Sequence, residues 1–211
     1  MVRLPFPDRE TAGQLLGRRL AEILPARPGG VVVLGLPRGG VIVAAAAATE
    51  LGAPLDAFVV RKLPLPGRPE LAMGAIAGGV LVWNEDVLRQ RRPRPEGVVA
   101  VVERERAELA RREAAYRGDR PPPELAGRVA VLVDDGVATG ATARAALRAA
   151  RALGPALVVL AAPVVPARLD LRPDADILVA LATPEPFGAV SSHYVDFRET
   201  TDDEVRQALD R

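Results

Sequence analysis

The chain has 211 residues, no cysteine and a net charge of +1, with 49% hydrophobic but only 3% aromatic residues. That composition excludes a disulfide scaffold and thiolate chemistry, gives nucleic acid no whole-molecule field to answer, and suits one α/β core of Val, Leu, Ala and Ile. No apolar run reaches about 18 residues and no signal-peptide core surrounds Arg3 and Asp8, so no membrane partner is expected and the expected location is the cytoplasm.

Asp8 to Leu24 reads as an amphipathic helix with Asp8 as N-cap and Leu15, Leu16, Leu20, Ile23 and Leu24 on one broad face. Pro25, Pro28, Gly29 and Gly30 end it. Val31 to Leu36 is the first buried strand. It runs into Pro37, Arg38, Gly39 and Gly40, then an Ala-rich helix to Leu51. Asp56 to Val60 is the second strand, ending in Arg61 and Lys62. Lys62 is the only lysine among 28 basic residues, at a strand end where open α/β sheets bind ligands. A lone lysine in an arginine background marks a place where guanidinium does not serve. Leu63 to Pro69, rich in proline, reads as a stiff exposed loop. Met73 to Ala77 and Val80 to Trp83, joined by Gly78 and Gly79, read as a hairpin.

A charged helical insertion follows at about 84–117. Arg89, Arg91, Arg92 and Arg94 form a basic knot. From Val98 to Tyr116, acids and arginines recur at helical spacing, the pattern of a solvated face. That face leaves a homodimer contact open.

The stretch Val129 to Thr142, VAVLVDDGVATGAT, organises the chain. A β-branched run fit for burial on both faces ends in Asp134 and Asp135. Small residues and hydroxyls come next, Ala138, Thr139, Gly140, Ala141 and Thr142, and a helix to Leu153. Small residues let backbone N–H groups approach an anion, and the helix adds unpaired donors and its positive dipole end. The two carboxylates are acceptors, suited to hydroxyl groups or a hydrated cation. Phosphate beside vicinal hydroxyls describes a ribose 5-phosphate. The Walker lysine and the Rossmann G-x-G-x-x-G are both missing. Ala156 to Ala162 and Ala175 to Leu181 complete five strands, and Asp202 to Leu209 is a short capped helix. No repeat or low-complexity linker divides residues 1–211, so one domain is expected.

Strands separated by helix or loop imply an open five-stranded parallel sheet flanked by helices. In its natural order, 2-1-3-4-5, the switch point lies between the first and third strands. Those two strands carry Pro37 to Gly40 and Asp134 to Thr142, so the two loops should face each other.

VLVDDGVATGAT resembles the phosphoribosyl pyrophosphate (PRPP) signature of type I phosphoribosyltransferases: apolar residues, two acids, a short turn, then T-G-x-T. PRGG, VVRKLPLPGRPELAMGAIA and ELARREAAYRG extend the resemblance over most of the chain, toward bacterial phosphoribosyltransferases of unassigned acceptor. The resemblance implies that family's fold, with a flexible hairpin loop over Leu63 to Trp83 and a small hood. It implies transfer of the phosphoribosyl group from PRPP to a nitrogenous base or similar nucleophile, releasing pyrophosphate. Asp134 and Asp135 would bind the ribose hydroxyls and Ala138 to Thr142 the 5-phosphate. Pro37, Arg38, Gly39 and Gly40, in a loop that often holds a non-proline cis peptide, would bind the pyrophosphate with Lys62. Magnesium would arrive on PRPP, with no metal site of the protein's own. Catalysis would rest on Lys62, Arg38, Asp134 and Asp135. The hypoxanthine–guanine enzymes place an Asp before the T-G pair where this chain has Ala138, which disfavours a 6-oxopurine acceptor. Phe187, after the fifth strand, would stack on the acceptor; Tyr194 and Trp83 are weaker candidates, and His193 a hydrogen-bonded bystander. The alternative is a PRPP-sensing regulator of the same fold that binds RNA or DNA; the retained Lys62 and complete loop favour an enzyme, and nucleic acid is not the expected partner.

Overall fold

Apolar β-branched runs flanked by Ala- and Leu-rich helices must bury two sheet faces at once, and the computed structural model shows how. It describes residues 2–24, 29–171 and 174–210. In chain order the elements are α1 (Arg9–Ile23), β1 (Val31–Gly35), α2 (Gly39–Leu51), β2 (Leu55–Ala57), β3 (Arg61–Leu65), β4 (Arg68–Ala77), β5 (Val80–Trp83), α3 (Glu85–Arg91), α4 (Pro95–Arg117), β6 (Val129–Val133), α5 (Ala141–Ala152), β7 (Leu157–Val164), β8 (Ile177–Ala182) and α6 (Asp202–Leu209). A 3-10 turn, Val190–His193, precedes α6. Asp8 caps α1 as expected, accepting from the Thr11 N–H at 2.7 Å. Pro25 and Pro28, expected to end that helix, lie outside the described residues.

The main sheet is parallel throughout, in the order β2-β1-β6-β7-β8, which is the expected 2-1-3-4-5. Alternation along β6 divides its side chains between two cores. Val129, Val131 and Val133 join Leu16 and Leu20 of α1 and Val43 and Ala44 of α2. Ala130 and Leu132 join Ala146, Leu147 and Ala150 of α5 on the other face. Every residue of β6 is buried, so the strand that delivers Asp134 and Asp135 is fixed from both sides.

Two expectations need correction. The second strand is β2, only Leu55 to Ala57, although Phe58 N–H still donates to Gly35 O at 2.8 Å. Lys62 therefore does not end a strand of the main sheet; it lies inside β3. Likewise Leu63 to Pro69 is not an exposed loop. It forms most of β3, a turn and the start of β4, in a three-stranded antiparallel sheet ordered β3-β4-β5. The alternating Leu63 and Leu65 are buried, and Pro64 is tolerated because β3 is an edge strand. The hairpin of β4 and β5 is present as expected.

The charged insertion forms α3 and α4. α4 buries Val101, Glu105, Leu109 and Tyr116 and exposes most of its remaining charges. Over the end of the main sheet, Phe6 bridges to Tyr194, and Phe6, Ala12, Val164 and Tyr194 form a small core of their own. This layer answers to the expected hood.

Candidate active site

The two loops meet. Leu36 N–H donates to Val133 O at 2.8 Å, so β1 and β6 run in register up to the point where both release their loops. The Pro37–Arg38 peptide is cis, matching the expectation for this loop. A Cβ on Gly39 would lie 2.0 Å from Asp135 Oδ2, and one on Gly40 2.9 Å from the Asp134 Cα. Only glycine lets this backbone lie so near the two carboxylates.

Asp134 and Asp135 are half-buried at the end of β6. Burial pushes the Asp134 carboxyl above the ordinary carboxylate range, and the charge of Asp135 adds to the shift. Burial also raises Asp135, against the pull of Arg9. Asp134 Oδ1 accepts the Asp135 N–H at 2.9 Å. Arg9, in the first turn of α1, donates from Nε to Asp135 Oδ2 at 2.7 Å and from Nη1 to Arg198 O at 2.8 Å. Its guanidinium stacks on the Phe197 ring, 3.9 Å from the centroid. Tyr194 donates to Asp135 O at 2.5 Å, and burial followed by the Asp135 charge drives its phenol pKa upward.

Past the acids the chain opens to solvent. Ala138, Thr139, Ala141 and Thr142 are exposed, and Gly140 is buried. Gly140 takes the left-handed conformation as N-cap of α5, at φ 76°, with Leu169 and Leu171 within 3.4 Å of a Cβ placed there. No side chain caps this helix, so its first-turn N–H groups face outward together with the hydroxyls of Thr139 and Thr142. The residues expected to form the phosphate cup lie at the uncapped N-terminus of α5.

Arg38 is the N-cap residue of α2, and its guanidinium pairs with Glu199, in the segment before α6. Lys62 is exposed, and its register partner on β4 is Ala75, itself opposite Val82 of β5. Paired residues share a sheet face. Val82 and Val80 pack on the α5 core, so Lys62 projects on the α5 side of the small sheet. Phe187 is half-buried, its ring 5.1 Å from that of His193. His193 is buried and hydrogen-bonded through Nε2 to Phe187 O at 2.8 Å, as a bystander would be. Trp83 packs with Met73 and Leu63 on the α4 side, away from the α5 face. Arg9 is the residue that sequence reading missed. Its partner is 126 positions away, and a helix-start arginine beside a good N-cap gives no sign of it.

Strand, acid pair, helix N-terminus and glycine loop thus meet at the sheet's switch point, and the comparisons supply the family. The chain belongs to the phosphoribosyl transferase domain family, whose model matches residues 13–191. It is similar to TT1426 from Thermus thermophilus, a solved structure 44% identical with a TM-score of 0.87 and 98% of each chain covered. A protein of Mycobacterium tuberculosis provisionally named a phosphoribosyl transferase is 50% identical over 209 residues. The match takes in 98% of this chain and 46% of that protein, so the chain spans about half the length of the curated relatives it matches. A Neisseria gonorrhoeae protein solved with bound ppGpp shares the fold at a TM-score of 0.51 and 12% identity, covering 100% of this chain and 98% of that one. Among the described residues no helix is long and apolar enough to cross a membrane.

Proposed function

We propose that this domain transfers the 5-phosphoribosyl group of PRPP to a ring nitrogen of a small base. The bond from C1 to the pyrophosphate oxygen breaks, its electron pair leaves with pyrophosphate, and a bond from C1 to nitrogen forms. The observation that carries the reading is the meeting of the Gly39 backbone with the Asp135 carboxylate, on the loop that leads into the uncapped N-terminus of α5. Acceptors for vicinal hydroxyls and donors for two phosphate groups are then supplied from opposite sides of one crevice.

In this reading Asp134 and Asp135 accept the ribose hydroxyls, and Arg9 favours the charged form of Asp135 against its burial and aims it. The N–H groups of α5, with Thr139 and Thr142, hold the 5-phosphate. Gly39 and Gly40 N–H, Arg38 and Lys62 stabilise charge growing on the leaving pyrophosphate, which is where fixed dipoles and cations lower a barrier most. Arg38 must leave Glu199 to take part, an easy exchange for an exposed pair. Magnesium would come on the diphosphate, bringing most of its own ligands and neutralising the leaving group, with the Asp134 and Asp135 carboxylates as acceptors for its bound water. Ala138 offers no carboxylate to take a proton from a 6-oxopurine. Phe187 supports a planar acceptor against its exposed side.

The test is calorimetry with PRPP and magnesium, beside pyrophosphate release over a panel of bases. Thr139→Ala removes a hydrogen bond to a charged group and should weaken PRPP about tenfold. Asp135→Asn should weaken it at least as much, both variants staying folded. Wild-type affinity in both variants would overturn the site. Tight PRPP binding with no turnover on any base would favour the regulator.

A further inference from the structure

We propose that Glu105 of α4 is a positioning residue that aims Lys62, through Arg61, into the crevice. The inference rests on the reading of Lys62 as the pyrophosphate cation. Glu105 sits between Val101 and Leu109 on the buried stripe of α4, where helical spacing calls for an apolar side chain. It is 5% exposed. A carboxylate there is costly unless fully paired, and an apolar residue would serve stability as well. Glu105 is fully paired. Its Oε2 accepts Arg61 Nε at 2.9 Å and Nη2 at 2.5 Å, and its Oε1 accepts Arg104 Nε at 3.0 Å.

The geometry of β3 explains what the pair does. β3 is an edge strand, regular against β4 only from Arg61 to Leu63, before the register shifts at Pro64. So short a ladder holds register weakly, and a slip of one residue turns every side chain to the other face. Arg61 and Leu63 lie on the α4 side, Arg61 on Glu105 and Leu63 in the core with Val101 and Leu109. With both flanking residues held there, Lys62 must project toward α5. The charged insertion thereby acquires a task at the site that its solvated face does not suggest.

Magnesium pyrophosphate, the leaving group itself, is the probe, with binding measured by calorimetry on four proteins: wild type, Lys62→Ala, Glu105→Gln and the double variant. Lys62→Ala should weaken binding about tenfold and Glu105→Gln about three- to tenfold. In the Lys62→Ala background, Glu105→Gln should change affinity less than about twofold, because its effect runs through the missing ammonium. Unchanged affinity in Glu105→Gln, or losses that multiply in the double variant, overturns the proposal while leaving Lys62 in place. Unchanged affinity in Lys62→Ala removes the reading beneath it. Arg61→Lys keeps the charge and loses the guanidinium fork; it should reproduce the Glu105→Gln loss, and it decides the matter if Glu105→Gln does not fold.

Discussion

At the scale of single residues, the role proposed for the acid pair sets function against stability. An acid whose pKa is higher folded than unfolded binds more protons in the folded state between those two values. Stability then falls as pH rises through that window, and the loss is complete above it. Asp134 is such an acid, raised by burial and by Asp135, so its ionised form works against the fold at neutral pH. Asp134→Asn keeps an acceptor for the Asp135 N–H and removes the charge. We expect it to raise the melting temperature at pH 8, by about 2–4 °C for each kcal/mol relieved, and to lose that advantage near pH 4. PRPP binding should fall in the same variant. An equal gain at both pH values would show that charge is not the cause. The pair itself was legible in the sequence, because two acids at the end of a buried strand have few other uses. Arg9 and the Tyr194 hydroxyl were not, since both reach Asp135 across contacts that no local pattern encodes.

At the scale of elements, the main sheet was readable and the small sheet only half so. β1, β6 and β7 are apolar runs buried on both faces, and β8, half-buried at the sheet's edge, is an apolar run as well, which leaves all four no other reading. β3 is two leucines mixed with Pro64 and two cations, and its strand identity comes from tertiary burial of Leu63 and Leu65, not from propensity. Lys62 accordingly lies in a strand interior and not at a strand end, and the role proposed for it rests on the face to which it projects. On an edge strand facing α5, an ammonium is compact enough to follow an oxygen as its bond to C1 lengthens, whereas guanidinium prefers a fixed planar partner. Lys62→Ala should therefore impair the chemical step more than PRPP binding, and Lys62→Arg should restore only part of the rate. Single-turnover kinetics with an accepted base, set beside a PRPP isotherm, makes the comparison. A wild-type rate in Lys62→Arg would reduce the residue to an ordinary cation.

At the scale of the whole molecule, strand order brought two loops far apart in sequence to one crevice, a placement the pattern of strands and helices predicts on topological grounds alone. Charge is distributed with equal consequence. Many arginines are engaged within the chain: Arg144 and Arg148 on Asp174, Arg117 on Asp56, Arg61 on Glu105, Arg111 and Arg112 on Glu108. In the basic knot Arg89 pairs with Asp86, which leaves the exposed Arg91, Arg92 and Arg94 beside the turn between α3 and α4. Three cations on a molecule of net charge +1 release few counterions from a duplex. With a slope near −0.9 per phosphate, binding through them should fall on the order of 40-fold between 50 and 200 mM salt. We expect duplex DNA and RNA to bind weakly in a fluorescence titration, with that steepness and no preference for sequence. Replacing all three arginines by Ala should flatten the salt dependence and leave PRPP affinity unchanged, because the crevice lies on other elements. Tight, sequence-selective RNA binding that persists at 200 mM salt would make the enzyme reading the weaker one, and a fold that senses PRPP the stronger.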